Sequence, residues 1–253
     1  MPTLEALLFD VDGTLADTER DGHRVAFNMA FAEAGLDWEW SEAVYGELLE
    51  VTGGKERIRF FLERFRPDFE APADLDGFIA GLHQAKTRFY TEMLAGGHIP
   101  LRPGVERFIR EAREAGLRLA VATTTTPENV EALLKPTLGP DSPGWFEVIA
   151  AGDVVPAKKP APDIYSYAME KMGLTPEECL AFEDSANGLK ASGGADLTTV
   201  IAVNGYTEQQ SFPGAAIVLS DWGEPDRPFT VLAGDAGGAR CLDLALARRL
   251  HGG

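Results

Sequence analysis

The chain has 253 residues, which suffices for one large α/β domain, or for a core of about 150 residues with a smaller second lobe. A hydrophobic content of 45% is that of a globular protein and argues against disorder. The net charge of −17 repels nucleic acid and anionic membrane surfaces, so an anionic ligand would need a local concentration of positive charge.

Targeting and redox signals are weak. No basic and apolar leader opens the sequence, and no window reaches the roughly 18 apolar residues of a membrane span, so we expect a cytoplasmic protein. Only two cysteines occur, Cys179 and Cys241, and the four histidines are scattered. We therefore expect neither a disulfide framework nor a zinc site.

Apolar periodicity predicts the elements in chain order. Residues 4–9 (LEALLF) form a buried strand candidate, whereas residues 17–97 show helical spacing and no convincing strand. From residue 105 onwards, helix and strand candidates alternate. The helix candidates are 24–35, 55–65, 105–116, 127–138, 161–173, 185–195 and 242–250, and the later strand candidates are 117–122, 146–152, 179–184 and 198–204.

This alternation predicts the α/β fold class, with a Rossmann-like core whose parallel sheet is covered by helices on both faces. The helical block interrupts the series directly after the first strand, so we interpret it as an all-helical inserted domain. The predicted boundaries are 1–16 and 98–253 for the discontinuous core and 17–97 for the helical domain.

Polar residues follow several of the predicted strands. Asp10 and Asp12 follow the first, Thr123 follows 117–122, Glu183 and Asp184 end 179–184, and Lys159 lies in the loop after 146–152. In an open parallel sheet, ligands bind beyond the carboxyl ends of the strands. Clustered carboxylates without His or Cys favour a hard cation such as Mg²⁺. One carboxylate can attack phosphorus while a second transfers protons.

Taken one at a time, these residues have ordinary structural interpretations. Asp-Gly is a common turn pair, Thr126 before Pro127 is typical of a helix start, and a lysine pair before Pro-Ala-Pro is typical of a solvated loop. The joint pattern at one sheet edge is what favours a catalytic function.

The segments FDVDGT, the apolar run ending in Thr123, KKPAPDIY and FEDSANGLKA resemble, in this order, the four motifs of the haloacid dehalogenase superfamily of phosphotransferases. The resemblance spans most of residues 4–228. It implies that Asp10 is the nucleophile, that Asp12 is the general acid and base, and that Thr123 and Lys159 hold the phosphoryl group. The metal ligands that it implies for Mg²⁺ are Asp10, Asp12 through its carbonyl, Glu183 and Asp184. Aspartate at the first position argues for phosphate transfer over dehalogenation.

The helical block resembles the small cap domain of the branch that contains β-phosphoglucomutase and the CbbY-type sugar phosphatases. DTERDGHRVAFN, TGGKERI and VNGYT resemble the CbbY type, which acts on xylulose 1,5-bisphosphate. The substrate contacts that this implies are Glu19, His23, Thr52, Gly53, Gly54, Lys55, Arg57 and Thr124. Lys55 and Arg57 supply positive charge suited to a second phosphate. Many relatives have a histidine five residues after the position of Asp17; here Gly22 stands there and His23 follows, which leaves the role of His23 open.

The sequence leaves three candidate functions open. The first is a Mg²⁺-dependent sugar-phosphate phosphatase that works through an aspartyl phosphate on xylulose 1,5-bisphosphate or a similar sugar bisphosphate. The second is a phosphomutase of the β-phosphoglucomutase kind. The third is a non-enzymatic phospho-acceptor receiver, which is about half as long and lacks the inserted lobe. We expect a small-molecule partner, no nucleic acid or membrane, and a monomer, with a dimer as the alternative.

Overall fold

The computed structural model describes residues 3–51 and 53–252. The chain divides into two compact units. The core unit is Met1–Asp17 with Pro100–Gly253, and the helical unit is Thr18–Ile99. Among the described residues, no helix has the length and apolar character that crossing a membrane would require.

The helical unit begins with a π-helix, Thr18–His23, which continues directly into an α-helix. The α-helices described in this unit are α1 (Arg24–Glu33), α2 (Glu42–Leu48), α3 (Gly54–Phe65) and α4 (Leu75–Ala95). Aromatic side chains form its core, with the Trp40 ring 4.5 Å from that of Phe27 and 4.9 Å from that of Phe31. Side chains of this size remove a large apolar area from water and stabilise a small unit.

The core unit is built on a sheet, as the sequence predicts. Its described strands are β1 (Ala6–Phe9), β2 (Arg118–Ala122), β3 (Val148–Ala150), β4 (Cys179–Glu183), β5 (Thr198–Ala202), β6 (Ile217–Leu219) and β7 (Val231–Gly234). Their order in the sheet is β3-β2-β1-β4-β5-β6-β7. All neighbouring pairs from β3 to β6 are parallel. The Rossmann-like fold class is confirmed.

The central strand β1 positions the site. Its four residues are fully buried, and it pairs in parallel with β2 on one side and β4 on the other. Phe9 is opposite Val121 of β2 and Phe182 of β4. The residues that follow β1, β2 and β4 therefore share the carboxyl edge of the sheet, where open α/β sheets bind ligands.

The helices of the core unit begin and end at residues whose chemistry explains the boundaries. They are α5 (Val105–Glu114), α6 (Pro127–Leu138), α7 (Asp163–Met172), α8 (Ala186–Gly194) and α9 (Leu244–His251). Thr126, Ser185 and Asp243 cap α6, α8 and α9 by accepting main-chain N–H groups. Gly173 ends α7 in the left-handed conformation.

One edge of the sheet differs from the prediction. The sequence predicts neither β6 nor β7, and β7 runs antiparallel to β6, so the sheet is mixed. All four residues of β7 are exposed, so they show no alternation of buried and exposed positions. Pairing with β6, a tertiary contact, defines this strand.

Candidate active site

Asp10 lies at the centre of the site, directly after β1. Its N–H donates to the carbonyl of Phe182 at 3.0 Å, which extends the pairing with β4 by one residue. Lys159 Nζ donates to Asp10 Oδ1 at 2.6 Å and to Glu183 Oε1 at 2.5 Å. Thr14 Oγ1 donates to Asp10 Oδ2 at 3.1 Å. One lysine thus contacts two acids from neighbouring strands, and both oxygens of Asp10 are held.

The site concentrates negative charge in a buried place. Asp10, Glu183 and Asp184 each offer a carboxylate oxygen, and these oxygens lie within 4.8 Å of one another. Burial raises the pKa of Glu183 to about 7, although Lys159 opposes the shift. Burial and the charges of Asp10 and Glu183 raise the pKa of Asp184 well above its ordinary value. Burial by itself lowers the pKa of Lys159, but the charges of Asp10 and Glu183 outweigh it and hold that pKa above its ordinary value.

A donor set of carboxylate oxygens alone suits a hard divalent cation. One lysine does not neutralise three carboxylates, so a cation would offset the charge that remains. The chemistry of the cluster fits a divalent metal ion.

Glu183 is fixed from several sides. Tyr165 Oη donates to Glu183 Oε1 at 2.7 Å, and the N–H of Asp184 donates to Glu183 Oε2 at 3.3 Å. A Cβ on Gly188, in α8, would lie 1.9 Å from Glu183 Oε2, so only glycine leaves room for this carboxylate. Tyr165 lies in the KKPAPDIY segment but was not predicted as a site residue, because it resembles an ordinary buried aromatic residue of α7.

Asp12 begins a tight turn that presses against Asp184. Gly13 has a φ of +88°, which favours glycine, and a Cβ there would lie 2.3 Å from Asp184 Oδ2. Asn204 Nδ2 donates to the same Asp184 oxygen at 2.7 Å. Asn204 was also missed as a site residue, although a polar residue just after β5 is the kind of signal that identified Thr123.

Thr123 and Thr124 follow β2. Thr123 is buried, its N–H donates to the Ala150 carbonyl at 2.9 Å, and its Oγ1 accepts the N–H of Thr125 at 3.3 Å. Thr124 is exposed. Because β2 adjoins β1, Thr123 lies at the same sheet edge as Asp10. The core unit therefore gathers its predicted site residues at one edge, and their catalytic roles stay predictions.

Two predicted substrate-binding residues of the helical unit form a group with a tyrosine. Tyr45 Oη donates to Glu19 Oε2 at 2.5 Å and accepts from Arg57 Nη1 at 3.0 Å. Arg57 and Glu19 form an ion pair at 3.5 Å, and Arg57 Nε donates to the Val51 carbonyl at 3.0 Å. Tyr45 orients both charged residues. Nothing in its sequence context distinguishes it from an aromatic residue of the core.

The glycine pair lies at the start of α3. Gly53 has a φ of +101°, and a Cβ on Gly54 would lie 2.6 Å from the His83 ring, so neither position admits a side chain without strain. Lys55, the next residue, is exposed. Burial, followed by the charges of nearby lysines that include Lys55, lowers the pKa of His83. The predicted contact Thr52 lies outside the described residues.

His23 is partly buried within the helical unit. Its ring stacks on Tyr90 at 3.9 Å, and its Nδ1 accepts from Lys86 Nζ at 2.7 Å. Burial, then the charge of Lys86, holds the pKa of His23 well below its ordinary value. A Cβ on Gly22 would lie 2.7 Å from the Tyr90 ring, so a histidine does not fit there. His23 is the last residue of the π-helix Thr18–His23.

Comparisons with known proteins agree with this fold. A model of the haloacid dehalogenase-like hydrolase family matches residues 4–196. The plasmid-encoded protein CbbY of Cupriavidus necator is 46% identical over 250 residues, which cover 99% of this chain and 98% of that relative.

Two solved structures are similar to this chain in both sequence and fold. CbbY from Rhodobacter sphaeroides in complex with phosphate is 49% identical with a TM-score of 0.73, over 87% of this chain and 95% of that chain. A mutant of that CbbY in complex with xylulose-(1,5)bisphosphate is 48% identical, also with a TM-score of 0.73 and the same coverage. The prediction of an enzyme with this fold is confirmed, and the chain belongs to the haloacid dehalogenase-like hydrolase family.

Proposed function

We propose that this hydrolase is a Mg²⁺-dependent sugar-phosphate phosphatase that works through an aspartyl phosphate on Asp10. The observation that carries the proposal is the buried Asp10 carboxylate, which Lys159 contacts at 2.6 Å beside the acids Glu183 and Asp184. A carboxylate held in this way is a preorganised nucleophile, and the lysine offsets part of the charge that an incoming phosphate meets.

The reaction has two steps. An oxygen of Asp10 attacks phosphorus, the ester bond from phosphorus to the sugar oxygen breaks, and Asp12 gives a proton to that leaving oxygen. Water then attacks the phosphorus, Asp12 takes its proton, and the bond between phosphorus and Asp10 breaks. The products are a sugar hydroxyl and inorganic phosphate. In this proposal, Thr123 and Lys159 donate hydrogen bonds to the phosphoryl oxygens.

The residues that would hold Mg²⁺ are Asp10, Glu183, Asp184 and the main-chain carbonyl of Asp12. When bound, Mg²⁺ supplies positive charge beside three carboxylates and so permits a phosphate dianion to approach them. The buried oxygen-only donor set supports this assignment.

For the substrate we propose xylulose 1,5-bisphosphate or a similar sugar bisphosphate. Support comes from the R. sphaeroides relative, which was solved in complex with xylulose-(1,5)bisphosphate. Support also comes from the cationic residues of the helical unit: Lys55 is exposed, and Arg57 is held in place by Tyr45 and Glu19. A second phosphate suits such charges, because hydrogen bonds between ionised groups are stronger than neutral ones.

The test is a panel of sugar monophosphates and bisphosphates with Mg²⁺, followed for free phosphate and for isomerised sugar phosphate. We expect phosphate release, fastest from a bisphosphate, which EDTA stops and added Mg²⁺ restores. Isomerised product without phosphate release would indicate the phosphomutase alternative.

Two variants test the nucleophile in the same assay. Asp10→Asn should abolish turnover and keep the wild-type circular dichroism spectrum, whereas the exposed Asp226→Asn should behave like wild type. Substantial turnover by Asp10→Asn would remove Asp10 from its proposed role.

A further inference from the structure

Arg102 is a buried cation of the core unit that the proposed reaction does not use. Its side chain is 6% exposed. Nη1 donates to the carbonyls of Gly13 and Ala202, the second at 2.8 Å. Nη2 donates to the carbonyls of Val203 and Ser220, the second at 3.0 Å. The guanidinium therefore joins three segments: the turn after β1, the end of β5 and the residue after β6.

Two of these segments also touch a candidate metal ligand. Gly13 packs against Asp184 so closely that a Cβ would lie 2.3 Å from Oδ2. Asn204, two residues beyond Ala202, donates to that same oxygen at 2.7 Å. Arg102 thus holds together, through their carbonyls, the turn and the strand end between which the Asp184 carboxylate lies.

Arg102 also ties the segment that re-enters the core unit to the turn that carries Asp12. Its N–H donates to the Leu15 carbonyl at 2.8 Å, and its neighbour Leu101 forms an antiparallel bridge with Ala16. Its Nε lies 3.4 Å from Asp17 Oδ1. The two chain segments that border the helical insertion therefore meet at Arg102, through main-chain pairing and through the contact of its side chain with Asp17.

Only arginine has donors for this arrangement. Its planar guanidinium presents five N–H groups in a fixed fork, four of them on the two Nη atoms, whereas lysine carries one nitrogen and cannot reach carbonyls of three separate segments. Ala202 and Val203 are buried, and their carbonyls would lose this donor if the fork were removed.

We infer that Arg102 is a positioning residue for the candidate metal site: it holds the Asp12–Gly13 turn and the end of β5 at the spacing that places the Asp184 carboxylate beside those of Asp10 and Glu183. The role in turnover rests on the proposed function, whereas the role in metal binding is measurable without any substrate.

The test compares Arg102→Lys and Arg102→Met with Arg107→Lys in the full chain. Arg107 is a matched control, because its Nη2 also donates to two main-chain carbonyls, those of Gly223 at 3.0 Å and Leu242 at 2.9 Å, and its Nε pairs with Glu224 at 3.0 Å. The measurements are urea unfolding, the affinity of the metal-free protein for Mg²⁺ by calorimetry and for Mn²⁺ by electron paramagnetic resonance, and kcat and KM.

We expect both Arg102 variants to lose about 10- to 100-fold in metal affinity, the range typical of residues that orient metal ligands. Their kcat at non-saturating Mg²⁺ should fall, with the substrate KM unchanged. Arg107→Lys should lose stability and bind both metals as wild type does.

Three results would overturn the inference. Wild-type metal affinity in Arg102→Lys would mean that a positive charge at position 102 is enough for metal binding and that the guanidinium fork is not needed. Equal destabilisation of Arg102→Lys and Arg107→Lys, with metal affinity intact in both, would mean a purely structural role. Failure of both Arg102 variants to fold, where Arg107→Lys folds, would make Arg102 a folding residue. A wild-type protein that binds Mg²⁺ but hydrolyses no sugar phosphate would overturn the proposed function and leave the affinity comparison valid.

Discussion

Replacing Lys159 with methionine should destabilise the metal-free protein, because it removes the cation from a cluster of three buried carboxylates. Lys159 Nζ lies 2.6 Å from Asp10 and 2.5 Å from Glu183, and its side chain is 8% exposed. Methionine keeps most of the volume and the apolar stem, so the substitution isolates the loss of charge.

The magnitude follows from these distances. At 2.6 Å and an effective dielectric constant of about 20, two unit charges attract by about 6 kcal/mol. Removing one partner of a buried pair costs about 3–5 kcal/mol, since a desolvated charge stays behind. We therefore expect the free energy of unfolding of Lys159→Met to fall by about 3–5 kcal/mol at pH 8 without metal.

Proton uptake should reduce this loss at lower pH. Burial already raises the pKa of Glu183 to about 7 against the pull of Lys159, and without the lysine that pKa rises further. For a carboxyl with an ordinary pKa of 4.5, protonation costs about 5 kcal/mol at pH 8 and about 2 kcal/mol at pH 6. The folded variant then binds more protons than the unfolded chain, so its stability rises as the pH falls through this window. In the wild type, Glu183 with its pKa of about 7 also takes up a proton over this window, which stabilises the folded state by about 1.3 kcal/mol. The loss at pH 6 should therefore be smaller than at pH 8 by about 1 kcal/mol.

The assay is urea unfolding in EDTA at both pH values, with Lys158→Met as the control. Lys158 is the adjacent lysine, its side chain is 53% exposed, and it pairs with the exposed Asp153 at 3.0 Å. Such a surface pair contributes about 0–1 kcal/mol, so the control should differ little from wild type. If Lys159→Met unfolds with the wild-type free energy at pH 8, Lys159 does not stabilise the buried carboxylates of the folded protein. Equal losses at both pH values would refute the role of proton uptake.

Further predictions concern the glycine under Glu183 and two residues of the helical unit. Gly188→Ala should displace the Glu183 carboxylate, because the new Cβ would lie 1.9 Å from Oε2, and lower the affinity for Mn²⁺ about tenfold or more, as measured by electron paramagnetic resonance. His23→Gln should make the unfolding free energy depend less steeply on pH below pH 6.5. Burial, Lys86, Arg57 and His83 lower the pKa of His23 in the folded protein, so the unfolded chain takes up a proton there that the folded protein does not. This difference lowers the wild-type unfolding free energy by at most about 1.4 kcal/mol for each pH unit, and the variant lacks it. Lys55→Ala should raise KM about tenfold or more for a sugar bisphosphate and leave KM for a monophosphate unchanged, because in the proposed function Lys55 donates a charge-assisted hydrogen bond to the second phosphate only.

Each of these variants has a matched control. Gly193, in the same helix as Gly188, has open space where a Cβ would lie, so Gly193→Ala should gain up to about 1 kcal/mol and keep wild-type metal affinity. His98 is exposed, so His98→Gln should change the unfolding free energy at pH 8 by no more than about 0.5 kcal/mol. Lys190 is an exposed lysine of the core unit, and Lys190→Ala should leave KM for both substrates unchanged. Wild-type metal affinity in Gly188→Ala, an unchanged slope in His23→Gln, or equal KM changes in Lys55→Ala would contradict the respective prediction.

Most of the core sheet was predictable from sequence, because its parallel strands are short apolar runs separated by amphipathic helices. The predicted strand at 179–184 is observed as Cys179–Glu183, and the predicted helix at 127–138 as Pro127–Leu138. The edge strand Val231–Gly234 was not predictable, because it is exposed on all four residues and exists only through its partner. The local sequence pattern predicts an element that buries one of its own faces. It does not predict a strand such as β7, which exists only because it pairs with a neighbouring strand.

The candidate site divides in the same way. Asp10 and Glu183 were identified from sequence because polar residues follow several strands of one predicted sheet, and this joint pattern is unusual although each residue alone is ordinary. Tyr165 and Arg102 were missed, because a buried aromatic residue and an arginine beside a proline are ordinary in sequence. Each contributes to the candidate site by donating hydrogen bonds to acceptors that are distant along the chain.

The sequence by itself determined which chemical groups this protein sets at its sheet edge, since strand ends and polar residues are both local properties. The tertiary structure alone decided their spacing. Lys159 reaches Asp10 across 149 positions of sequence, and Arg102 reaches Ser220 across 118. Such contacts depend on how strands and loops pack, because hydrogen bonds act over about 3 Å and local sequence carries no information about which distant atoms come that close.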